Sequence, residues 1–184
     1  FMISQIWAVY WSATGNTKKT ASVIAGRLAE ELKCPLEALD FTLPADRQSS
    51  LSFHSWDLVL FAVPTYAGKV PNKILPYIQE NVHGNGALAV PVVTFGNRSF
   101  DNSLAELAFC LEKNGFHTIA AGAFAGRHAF TDKLAFGRPN QKDEEEMKDF
   151  AQKIVEKVKA SSQIPKAVSV PGDPAAPYYV PKRT

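Results

Sequence analysis

Ser12-Ala13-Thr14-Gly15-Asn16-Thr17 gathers hydroxyl and amide side chains around one glycine, between the apolar residues 6–11 and the helical pattern of residues 18–33. A strand that exits into a helix N-terminus presents unpaired N–H groups and the positive end of the helix dipole. Ser12, Thr14, Asn16 and Thr17 add neutral donors, and no cation stands inside the loop. That chemistry suits a terminal phosphate monoester. The Walker loop requires a second glycine followed by Lys and Ser/Thr, and the dinucleotide fingerprint requires three spaced glycines. Neither is present. A phosphatase on a similar loop needs a cysteine at the strand exit and an arginine at the loop end, where this chain has Ser12 and Lys18 or Lys19. The plain alternative is an ordinary strand-to-helix turn capped by Thr or Asn.

Two later loops provide walls for the rest of such a ligand. Pro64-Thr65-Tyr66-Ala67-Gly68-Lys69-Val70-Pro71 is stiffened by two prolines, offers the Tyr66 ring for stacking, and has in Gly68 a residue free to turn its peptide. Thr94-Phe95-Gly96-Asn97-Arg98-Ser99-Phe100 again mixes aromatic and polar residues beside a glycine. With a phosphate in the first loop and a flat ring between the other two, the expected cofactor is FMN. Tyr66 and Phe100 are expected to pack on the ring, with Phe95 as an alternative cover, and backbone near Gly68 and Asn97 is expected to bond its polar edge. Read singly, each aromatic is equally a packing residue. Lys69 and Arg98, if close to the ring, would stabilise its reduced anion. Arg127 and His128 lie in a connection, residues 126–141, long enough to flank the site. No acid, base, nucleophile or metal ligand is assigned.

The elements that must position these loops are legible as a regular alternation. Strands are expected over residues 6–11, 36–40, 57–63, 87–95 and 117–125. Helices are expected over residues 18–33, from Pro71 with Ile74, Leu75 and Ile78 inward, from Asn102 to a cap at Gly115, and over residues 142–159. Strands apolar throughout belong to a parallel sheet covered on both faces. The expectation is an α/β, doubly wound five-stranded sheet of order 2-1-3-4-5, which binds ligands beyond strands 1 and 3. Residues 41–56 show no helical pattern and are expected to hold a short or irregular element. Residues 161–184, with five prolines, read as an extended linker or strap after a domain spanning residues 1–160.

Composition narrows the function classes. At 184 residues and 46% hydrophobic, the chain can bury one good core. A net charge of +2 without a dense basic block does not suit nucleic-acid binding. The longest apolar stretch, residues 58–64, is too short to span a bilayer. Cys34 and Cys110 have no paired spacing and read as two buried thiols in the reducing cytoplasm.

With strand, Ser12-Ala13-Thr14-Gly15-Asn16-Thr17 and helix in this order, residues 5–160 resemble the flavodoxin superfamily. Gly126-Arg127-His128-Ala129-Phe130-Thr131 and the prolines from Pro171 to Pro181 are most similar to the flavodoxin half of flavodoxin–ferredoxin fusions. The resemblance implies a noncovalent FMN electron-transfer protein working with a ferredoxin-type partner, or with a module beyond Thr184. The slightly basic charge departs from the acidity of freely shuttling flavodoxins and implies a tethered or dedicated partner. The rival within flavin chemistry is an NAD(P)H:quinone or nitro reductase. A scaffold that has lost its cofactor is a further rival, and a receiver-like signalling domain fails because Ser12 and Pro64 stand where it needs acids.

Overall fold

The computed structural model describes residues 2–96, 100–126 and 141–176. Strands β1 (Gln5–Tyr10), β2 (Leu36–Asp40), β4 (Asp57–Pro64), β6 (Leu88–Phe95), β7 (His117–Thr118) and β8 (Gly122–Ala125) form one parallel sheet. Its order is β2-β1-β4-β6, with β7 and β8 both on the outer side of β6. Helices α1 (Asn16–Leu32) and α4 (Gln141–Ala160) cover one face; α2 (Leu75–Asn81) and α3 (Ser103–Lys113) cover the other.

Side-chain alternation divides the core between these faces. Val59, Phe61 and Val63 of β4 pack toward α2 and α3, whereas Leu58, Leu60 and Ala62 pack toward α1 and α4. All six are fully buried, which is why β4 reads as a continuous apolar run. The edge strand β2 is mostly exposed.

Three features differ from the sequence expectation. The fifth strand is not continuous: it breaks between Thr118 and Gly122, where two residues of β6 oppose three of the outer strand. Pro91 supplies the reason. The carbonyls of Ala89 and Phe95 accept from Ile119 and Gly126, so the odd-numbered residues of β6 aim their backbone groups at the outer strand. Pro91 therefore faces it without an N–H, and the extra residue forms a bulge there. The sheet accordingly has six strands rather than five.

The second helix begins at Leu75 rather than Pro71; residues 71–74 form a turn in which Pro71 O accepts from the amides of Ile74 and Leu75. Residues 41–56 hold short elements, as expected: a 3-10 turn, Pro44–Arg47, and the short strand β3 (Leu51–Ser52), which pairs in parallel with β5 (Val82–His83).

The third departure concerns the cysteines: both are expected to be buried, and only Cys110 is. Cys110 of α3 is buried, and desolvation together with the Glu106 carboxylate pushes its thiol up to about 11, whereas Cys34 is only partly buried. At pH 8 Cys110 is expected to alkylate about 100-fold more slowly than an ordinary thiol, since only the thiolate attacks. A labelling time course read by mass spectrometry tests this, and labelling at the free-thiol rate would contradict the packing of α3.

Candidate functional site

Loops leaving the C-terminal ends of β1, β4 and β6 meet at one edge of the sheet. β1 leads to a helix on one face and β4 to a helix on the other, so the loops flank the switch point where such sheets open a crevice. They line an open cleft with Ala13, Thr14, Asn16, Thr17, Pro64, Thr65, Tyr66, Thr94, Phe95, Gly96 and Gly126. None of these residues carries a charge.

The first loop is built by Ser12 and Gly15. Gly15 stands at the helix N-cap with φ 91°, a left-handed conformation that glycine adopts at little cost. Ser12 Oγ accepts from the Gly15 amide at 3.1 Å and the Lys18 amide at 3.0 Å. Donors three and six residues after Ser12 thus converge on its hydroxyl oxygen. An ordinary Thr or Asn cap does not describe this loop, because the N-cap is glycine and the hydroxyl comes from three residues earlier.

Neighbouring strands hold the loop in place. The Ser12 amide donates to Thr42 Oγ1 at 2.9 Å, and Thr42 Oγ1 donates in turn to Asp40 Oδ1 at the end of β2. Thr17 and Thr94, both buried, share a hydroxyl–hydroxyl bond of 2.9 Å that ties the start of α1 to the end of β6. The Gly126 amide donates to Phe95 O at 2.7 Å, bringing the exit of β8 to the cleft.

The second loop is a tight two-residue turn. Tyr66 and Lys69 exchange backbone hydrogen bonds of 2.9 and 3.0 Å around Ala67 and Gly68, at φ 50° and 79°. Two positive φ values in sequence match a type I′ turn, which Ala67 occupies at a cost of about 1 kcal/mol. The start of α3 clamps this turn: the Asn102 amide donates to Gly68 O at 3.0 Å, and the Val70 amide donates to Glu106 Oε1 at 2.9 Å. Ser103 Oγ donates to Phe100 O, so the 2.8 Å bond between Thr65 and Ser103 is donated by Thr65. A side chain at Gly68 would collide with the Asp101 carboxylate, since its Cβ would lie 2.8 Å from Oδ2.

Aromatic and charged residues sort differently from expectation. Tyr66 lines the cleft and meets Trp11 edge-on at 5.8 Å; burial raises its phenol pKa, so the ring carries a neutral hydroxyl at neutral pH. Phe95 lines the cleft, but Phe100 stands beside it at 5.9 Å, packed on the core rather than on the opening. Lys69 also does not line the cleft. Its ammonium is buried against Glu106 Oε2 at 2.6 Å and donates to Pro174 O and Ala176 O. The expected position of its charge beside the ring is therefore replaced by an internal ion pair. Asn97, Arg98, Arg127 and His128 lie outside the described residues.

A family model described as a flavodoxin domain matches residues 8–127. The chain belongs to the flavodoxin family. The assignment supports FMN as the cofactor and flavin-based electron transfer as the broad activity. Solved structures share the fold at low identity: a flavodoxin from Streptococcus pneumonia TIGR4 has a TM-score of 0.56 and 17% identity, covering 84% of this chain and 99% of that one. A flavodoxin from the domain Archaea has a TM-score of 0.54 and 17% identity over 84% and 99% of the two chains. The rubredoxin oxygen:oxidoreductase of Desulfovibrio gigas gives 0.58 and 19% identity over 86% of this chain and 37% of its own. No curated protein matches the chain.

The flavodoxin site fits FMN chemically. Thr14, Asn16 and Thr17 bring neutral polar side chains to the cleft at the start of α1, where a helix N-terminus favours a phosphate, and the Gly15 and Lys18 amides are taken by Ser12 Oγ, which shapes the loop. No cluster of His, Cys, Asp or Glu able to hold a metal occurs among the described residues, and no described helix is long and apolar enough to cross a membrane. Sequence reasoning placed Gly126 at the start of a connection flanking the site without naming it as a lining residue, and it missed Thr42, Ser103 and Glu106 as supports. Only Glu106 left a signal, as an acid amid the apolar residues of a short helix whose first half is buried all round.

Proposed function

We propose that residues 1–160 bind FMN noncovalently and pass electrons between protein partners, with a ferredoxin-type protein or module as the partner. The observation that carries this reading is the loop from Ser12 to Thr17, folded over Ser12 Oγ at the N-terminus of α1 and bordering a cleft whose described lining residues are all uncharged. Ser12, Ala13, Thr14, Gly15, Asn16 and Thr17 hold the phosphate through amides and hydroxyls, with the α1 dipole behind them. Pro64, Thr65, Tyr66, Ala67 and Gly68 form one wall for the ring, and Thr94, Phe95 and Gly96 form the other. Asn97 and Arg98 complete the proposed set of cofactor contacts, and Phe100 supports Phe95 from behind. Bound FMN supplies one- and two-electron chemistry of its own ring system. The described residues lining the cleft contain no carboxylate, imidazole or thiol to move a substrate proton. Residues 161–184 form an extension of the domain, and the two unpaired cysteines suit the cytoplasm.

Titration of flavin-free protein with FMN is expected to quench flavin fluorescence to a stoichiometric end point. Absence of quenching overturns the reading. NAD(P)H oxidation with a quinone acceptor is expected to run no faster than with free FMN; turnover well above that level would replace electron transfer by the reductase alternative.

A further inference from the structure

Residues 161–176 contain neither helix nor strand, yet they run along the molecule and end at the ring loop. His117 Nε2 contacts Pro165 O at 2.6 Å, and the Val168 amide donates to Thr118 O at 3.1 Å along the outer strand. Further on, the Asp173 amide donates to Asn102 Oδ1 at 2.8 Å, at the residue whose own amide holds Gly68 O. Pro174 O and Ala176 O then reach the Lys69 ammonium. An ammonium has three protons. Those of Lys69 are taken by Glu106 Oε2 and these two carbonyls, so the ring loop, α3 and the extension meet at one buried cation.

Between these bonds the extension is loosely seated. Grooves of about 320 and 280 Å³ run beside it, the first bordered by Leu104, Phe150 and Ile154, the second by Ala105 and Phe109. Few apolar contacts and a handful of specific bonds describe a segment that opens separately from the core.

We propose that residues 165–176 are a strap that latches the cofactor-ring loop through Lys69, which acts as a positioning residue for the turn at Ala67 and Gly68. The latch rests on the FMN reading only for its functional consequence: docking of the strap holds the ring wall in place, and undocking loosens the grip on the cofactor. A partner or neighbouring module that pulls on the strap thereby acts on the flavin site without touching it.

The test frees the strap without altering the loop. Gly172 has φ 117°, and a Cβ there would lie 3.1 Å from Ala105 Cβ and 3.2 Å from Asn102 Oδ1, so Gly172→Val displaces the strap from α3. A second variant ends the chain after Pro171 and removes both carbonyls that bind Lys69. In flavin-free protein each variant is expected to speed amide exchange in residues 65–70 about tenfold, and to weaken FMN binding by a similar factor. Adding Gly172→Val to Lys69→Gln is expected to change neither quantity further, since both break one linkage. Faster exchange confined to residues 165–176, or additive effects in the double variant, would overturn the latch. Exchange coupling in a protein that fails to bind FMN would support the latch while rejecting the cofactor reading.

Discussion

Riboflavin is expected to bind about a thousandfold more weakly than FMN, a difference of about 4 kcal/mol. Hydrogen bonds to a charged group contribute about 1.5–3 kcal/mol each, and a helix N-terminus adds about 0.3–1 kcal/mol. Two such bonds from the loop and the start of α1 place the sum near this figure. Ser12 Oγ limits it. That hydroxyl accepts from Gly15 and Lys18 by itself, so a ligand without phosphate leaves neither donor unsatisfied. Because the described loop offers neutral donors, the preference is also expected to survive added salt better than one based on a surface lysine. Parallel fluorescence titrations with the two flavins measure it, and equal affinities would remove the phosphate cradle.

Gly84→Ala is expected to cost about 3 kcal/mol, the upper range for overpacking. A Cβ on Gly84 would lie 2.6 Å from both Gly115 C and Phe116 N, and 2.7 Å from Gly115 O. These are main-chain atoms and cannot rotate away. The backbone there is already pinned: the Gly84 amide donates to Asn114 O at 2.9 Å, the Gly86 amide donates to Gly115 O at 2.8 Å, and Asn114 Nδ2 donates to Ile78 O and Val82 O. Separating the segments would strip the ends of α2 and α3 of these partners. For a chain of this size, the loss corresponds to a melting point lower by roughly 6–12 °C. The junction lies away from the residues lining the cleft, so FMN affinity below the transition is expected to stay unchanged. A melting curve superimposable on that of the unmodified chain would sink the prediction.

What the sequence made legible follows the range of the forces involved. The loop from Ser12 to Thr17 was readable because its donors lie within one turn of each other and belong to a helix start. The parallel sheet followed from strands buried on both faces, and β4 and β6 met that expectation over nearly their full length. β3 and β5, two residues each, are too short to carry a period. The break after Thr118 left a sign in Pro91, but reading it required knowing which neighbour that residue faces. Lys69 was misplaced for a different reason: a loop sequence does not say which way a long side chain turns, and its partners are 37 and more than 100 residues away. Prolines after Pro165 correctly argued against helix and strand there. They said nothing about hydrogen bonds to Thr118 and Asn102.

Pro91 and the bulge opposite it form a single unit of heredity. A residue with an N–H at position 91 would gain a donor facing a stretch of chain one residue too long to receive it in register. Removing one residue from 119–121 would leave the shortened strand with an acceptor opposite a ring. Either change alone meets a mismatch, and the two together restore an unbroken ladder. Among relatives of this chain, the length of the outer strand and the identity of the residue at 91 should therefore vary together.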